Sequence, residues 1–108
     1  MQWTVETLDV RVDAELDDLP VSLRARLTRM FELIEMVGAA YMREPHVKHI
    51  EGRLWEIRAK ASDGIARALY VTTRGNRLIV VHVFAKKSSK TPRRALRIAR
   101  ERLKEVKP

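Results

Sequence analysis

Between Leu23 and Val37 the apolar residues Leu23, Leu27, Met30, Ile34 and Val37 recur at a helical period, with Arg24, Arg26, Arg29, Glu32 and Glu35 turned elsewhere. This stripe predicts a long amphipathic helix, with Pro20 suited to its first turn and Gly38 to its stop. A shorter helix before it follows from Val12, Leu16 and Leu19, with Asp9 as its cap. Ahead of both, Gln2 to Leu8 alternates in the manner of a strand, Trp3, Val5 and Thr7 sharing one side. After a connection over Ala39 to Pro45, four further strands are predicted at Val47 to Ile50, Leu54 to Lys60, Ile65 to Thr73 and Arg77 to Ala85. The links Glu51-Gly52-Arg53, Ser62-Asp63-Gly64 and Arg74-Gly75-Asn76 have hairpin length, so successive strands are expected to be antiparallel neighbours. The last strand, Leu78 to Phe84, is apolar on both faces, which predicts a central strand covered on both sides. A final helix is expected from near Pro92, with Thr91 as candidate cap, to about Val106. It packs through Leu96, Ala99, Leu103 and Val106.

The predicted order β-α-α-β-β-β-β-α is an α+β fold: two N-terminal helices on one mostly antiparallel sheet, in a single domain over residues 1–108. No run approaches the ~20 apolar residues of a spanning helix, and Met1 to Asp9 lacks the order of an export signal, so the expected compartment is the cytoplasm and no membrane partner is implied. The absence of cysteine excludes disulfides, thiolate metal sites and thiol nucleophiles.

Charge changes the picture. Of 22 basic and 14 acidic residues, 12 of each lie before Ala85, so the net +8 is carried entirely by the last 24 residues. Charge gathered in this way attracts a polyanion such as RNA or DNA, although a solubilising tail has the same composition. On the final helix Arg93, Arg97, Arg100, Lys104 and Lys107 repeat at helical spacing, a face suited to phosphates.

Strand alternation supplies the rest of the candidate chemistry. It places Trp55, Ile57 and Ala59 on one face, suited to the core, and Leu54, Glu56, Arg58 and Lys60 on the other. On the next strand Ile65, Arg67, Leu69 and Val71 share a face, so Arg67 is expected beside Arg58, and Lys86, Lys87 and Lys90 follow the central strand. A cationic concavity is one reading. The other pairs the arginines with Glu56 or another carboxylate at the rim of the sheet and leaves the lysines as a solvated strand end or an edge guard. His46 and His49, three residues apart, give no metal spacing, and no phosphate-cradling glycine loop or serine-hydrolase pattern is present, so neither metal nor cofactor is expected.

The runs Leu54-Trp55-Glu56-Ile57-Arg58, Arg67-Ala68-Leu69-Tyr70 and His82-Val83-Phe84-Ala85-Lys86-Lys87-Ser88-Ser89-Lys90-Thr91-Pro92 resemble the RelE/ParE toxin superfamily, in particular its HigB-like, phage-related branch. The resemblance covers roughly residues 46 to 106. It implies a type II toxin–antitoxin toxin, a metal-independent endoribonuclease that cleaves messenger RNA on the ribosome and is silenced by a small helix-turn-helix antitoxin. By position it implies Arg58, Arg67, Lys86 and Lys87 as catalytic residues; Lys60, His82 and Lys90 beside them, and Arg93, Arg97 and Arg100 on the basic face of the final helix, are the candidates for binding RNA. Several RNA-cutting relatives carry a proton-transfer tyrosine or histidine near the C-terminus, whereas no tyrosine, histidine or aspartate follows His82 here. The ParE side of the same superfamily poisons DNA gyrase instead, and a plain nucleic-acid-binding module is a third alternative.

Overall fold

The structure, a computed structural model, describes residues 2–62, 64–87 and 90–107. Asp63 of one predicted link, and Ser88 and Ser89 of the motif before Lys90, lie outside the described residues. The elements are β1 (Thr4–Thr7), α1 (Val10–Asp17), α2 (Val21–Val37), a short 3-10 turn (Gly38–Ala40), β2 (Val47–Glu51), β3 (Leu54–Ala61), β4 (Gly64–Thr73), β5 (Arg77–Lys86) and α3 (Arg93–Leu103). Their order is the predicted one.

Local chemistry explains the helix starts. The Asp9 carboxylate accepts the Arg11 backbone N–H at 2.9 Å, satisfying a donor that helix geometry leaves orphaned. Pro20 sits one position before α2 and contributes its carbonyl to Arg24 N–H at 2.9 Å. Thr91 does not cap α3. Pro92 occupies that position without a side-chain bond, because the Thr91 hydroxyl is engaged by a buried carboxylate of β3.

The sheet order is β1-β5-β4-β3-β2. The three hairpins are antiparallel, whereas β1 pairs parallel to β5 at the edge, since the two helices return the chain to the end of the sheet where β1 finished and β2 then runs opposite to β1. Both faces are covered. Val12, Leu23, Leu27, Met30 and Ile34 of α1 and α2 pack on Ile57, Ala59, Ala66, Ala68 and Tyr70, while Ala95 and Ala99 of α3 pack on Leu54, Leu69, Val71, Ile79 and Val81. Each fully buried Leu or Ile adds about 1.5–3 kcal/mol relative to exposure. A register shift between Leu69 and Tyr70 leaves Val81 without a partner on β4, a bulge that turns both Val81 and His82 toward α3.

Two expectations need correction at the rims. Trp55 lies on the predicted face but is 37% exposed, and Val37 is 52% exposed, because each stands where the helical cover ends.

Candidate functional site

Strand register builds two neighbouring rungs on the α3 side of the sheet. Arg58 pairs with Arg67 and Arg67 with Phe84; one rung farther on, Lys60 pairs with Ile65 and Ile65 with Lys86. Adjacent strands lie ~4.8 Å apart, and same-face residues along a strand ~6.6 Å apart. Four cations therefore occupy one end of one face.

Glu56, fully buried, organises the inner rung. Its Oε1 accepts Arg58 Nε at 2.7 Å, its Oε2 accepts the Thr91 hydroxyl at 2.9 Å, and Arg67 Nη1 stands 3.9 Å from Oε2. Arg67 Nη1 also donates to Thr91 Oγ1 at 3.4 Å. A carboxylate taken out of water is tolerable only with such partners. Two guanidinium groups face this one carboxylate. Arg67 is 0% exposed, and this burial holds its pKa below the usual guanidinium range, against the opposing charge of Glu56 and with repulsion from Arg58 in support. Arg58 remains 19% exposed. The alternative pairing with Glu56 is thus realised, and Arg67 supports the site from beneath while Arg58 meets solvent.

The lysines open elsewhere. Lys86, Lys87 and Lys90 are exposed, and a cavity of about 310 Å³ is lined by Lys86, Lys90, Thr91, Pro92 and Arg93. Arg58 and Lys60 line a different cavity, bounded by α2 and the loop before β2. A single concavity holding all predicted cations is therefore not formed. The segment at Thr91, tied down onto Glu56, stands over Arg67. Arg93 and Arg97 are exposed on α3 without an ion pair among the described residues, whereas Arg100 is held by Glu51 at 2.6 and 2.8 Å, which raises its pKa and masks its charge locally.

His82 is a structural tie more than a surface contact. It is 7% exposed, with Nδ1 3.0 Å from Glu15 Oε1. Glu15 also accepts the Val83 backbone N–H at 3.0 Å and Arg102 Nη1, which in turn reaches the Val81 carbonyl at 2.9 Å. Burial raises the Glu15 pKa, yet the bonds from His82, Val83 and Arg102 outweigh it and hold the carboxyl below its ordinary value. This network closes the part of β5 that β1 is too short to pair, and borders a cavity of about 420 Å³ shared with Lys86 and Arg94.

Sequence reasoning missed Thr91 as a ligand of the buried charge, and missed Arg26, Arg29 and Tyr41, which line the cavity beside Arg58. Alternation assigns side chains to faces but does not say which strand edge a helix borders.

The model of the family described as Phage derived protein Gp49-like (DUF891) matches residues 14–104. The chain belongs to the Gp49-like family. No curated protein matches this Gp49-like chain significantly in sequence. Among solved structures, it is similar to a variant of the E. coli toxin RelE in the free state, at 16% identity and TM-score 0.64, covering 98% of this chain and 99% of that one. It is also similar to the archaeal RelE–RelB complex from Pyrococcus horikoshii, at 20% identity and TM-score 0.59, covering 83% of this chain and all of the other. The Gp49-like chain thus has the RelE toxin fold, in agreement with the order of elements read from its sequence. No helix among its described residues is long and apolar enough to cross a membrane.

Proposed function

We propose that this chain is the toxin of a type II toxin–antitoxin pair, an endoribonuclease that cuts messenger RNA on the ribosome in the cytoplasm without a metal or cofactor. The observation that carries this reading is the pair of adjacent rungs in which Arg58, Lys60, Arg67 and Lys86 share one end of one sheet face, with Glu56 as the buried counter-charge of Arg58 and Arg67. The RelE fold and the Gp49-like family support the toxin assignment, and the RelE–RelB neighbour supports a protein antitoxin, for which a helix-turn-helix partner is the proposal.

In such a reaction the 2′-oxygen of the RNA attacks the adjacent phosphorus and the bond to the 5′-oxygen breaks. The 2′-hydroxyl loses its proton, the leaving 5′-oxygen gains one, and a 2′,3′-cyclic phosphate and a 5′-hydroxyl result. Negative charge accumulates on the phosphate oxygens. Fixed donors aimed at developing charge contribute about 3 kcal/mol each. Arg58, solvent-accessible and locked by Glu56, is suited to this task, with Lys86 and Lys87 as exposed cations. Arg67 does not reach solvent and acts as a positioning residue for Glu56 and Thr91. Lys60, Lys90, Arg93 and Arg97 guide the RNA strand, Arg100 more weakly because of Glu51, while His82 contributes through the fold of β5.

The test uses purified chain and ribosomes programmed with a defined message. Primer extension is expected to show new 5′ ends inside codons, carrying 5′-hydroxyl groups. Intact message, together with gyrase-dependent DNA breaks in a parallel supercoiling assay, would establish the ParE-like reading instead.

A further inference from the structure

A second cationic cavity, of about 320 Å³, lies where the open edge of β3 meets α2, beyond the point at which β2 begins to pair. Arg26 and Arg29 line it from the helix, Arg58 and Lys60 from the strand, and Tyr41 and His46 from the loop between them. Among the described residues no carboxylate lines it. Arg58 spends part of its charge on Glu56, and Arg29 has a loose, solvated contact to Glu32 at 3.7 Å, while Arg26 and Lys60 are exposed. Tyr41 and His46 are stacked, with ring centroids 4.0 Å apart and planes within 8°. The position of His46 is pinned, since its carbonyl accepts the Arg58 backbone N–H at 3.0 Å and its own N–H is bound by the Arg43 carbonyl at 2.9 Å.

We propose that this cavity binds one nucleotide of a single-stranded RNA, outside the cutting site, its phosphate held by Arg26, Arg29 and Lys60 and its base laid against the Tyr41–His46 stack. The inference rests on the RNA reading above and extends it. Its volume falls at the lower end of small-ligand sites, ~300–1,000 Å³, a size for one nucleotide rather than for a helical peptide. Positive charge beside a planar aromatic wall is the combination by which proteins hold single strands, with bases stacked and phosphates paired. Arg58 borders both this cavity and the Glu56 cluster, so a strand leaving the cutting site reaches the cavity without crossing the Thr91 segment.

The experiment measures binding of a short, fully 2′-O-methylated and therefore uncleavable RNA by fluorescence anisotropy across a salt series. The Arg26→Ala/Arg29→Ala double variant is expected to bind about tenfold or more weakly, and to lower the slope of log affinity against log salt by about 1.4, the value for two lost single-strand phosphate contacts. Arg53→Ala/Arg74→Ala, which removes equal charge from two exposed hairpin turns, serves as the comparison and is expected to lose less than threefold. Tyr41→Ala should weaken binding about tenfold, and Tyr41→Phe should match the parent; circular dichroism verifies each fold. Equal losses from the two arginine pairs, or parental binding by Tyr41→Ala, overturn the proposal. A parent that binds through the cavity but leaves messages uncut removes the nuclease reading alone. A parent that cuts messages on ribosomes while every variant binds as it does, or while the parent itself does not bind the free RNA, removes the cavity alone.

Discussion

Thr91 and Glu56, 35 residues apart, are joined by a 2.9 Å hydrogen bond from the threonine hydroxyl to a carboxylate that has no exposed surface. The bond fixes the start of α3 to β3 and thereby sets where Lys90 and Arg93 stand. It links a buried charge pair to the exposed cations of the site.

Glu56 is the first point of test. Glu56→Ala leaves two guanidinium groups without their shared carboxylate, one of them fully buried, and is expected to cost about 3–5 kcal/mol in urea unfolding. Arg58→Ala should cost much less stability, because Arg67 and Thr91 still serve Glu56, yet should remove growth arrest on induction.

Acid sensitivity is expected from Glu15. Its carboxyl titrates below the ordinary value of 4.5 in the folded chain, so the folded state binds fewer protons there than the unfolded state. The stabilisation is complete at neutral pH and is lost as pH falls through the depressed folded value. Urea midpoints measured from pH 7 down to pH 3 should fall for the parent, and Glu15→Gln should flatten that fall while lowering stability at pH 7 by about 1–2 kcal/mol.

Gly38 is required by backbone and by space. Its φ is +76°, and a Cβ there would stand 3.1 Å from Trp3 Cδ1. Gly38→Ala is expected to destabilise by about 1–2 kcal/mol, read as a lower thermal midpoint.

The lysines at the end of β5 should govern RNA affinity uniformly across sequences. Lys86→Ala/Lys90→Ala is expected to lower the salt slope of single-strand binding by about 1.4 without altering sequence preference.

The fold was legible to a large degree because its signals are local: the stripe from Leu23 to Ile34, the glycine-bearing hairpin links, and the doubly apolar strand ending at Phe84. The opposition of Arg58 and Arg67 followed from alternation and hairpin length alone. What escaped depends on contacts distant in sequence. Thr91 reads as a helix cap until β3 offers it a buried carboxylate, His82 reads as a strand-face residue until a bulge at Val81 turns it toward α3, and Arg26 and Arg29 read as solvated helix positions until the open edge of β3 is placed beside them.

Whether the cations at this end of the sheet cut messenger RNA is decided by mapping transcript 5′ ends in cells after brief induction, for the parent and for a folded, equally expressed Lys86→Ala/Lys87→Ala variant. New ends inside coding sequences are expected for the parent and are expected to be lost in the variant; unbroken transcripts during parental growth arrest, or unchanged cutting by the variant, would show that these cations do not cut the message.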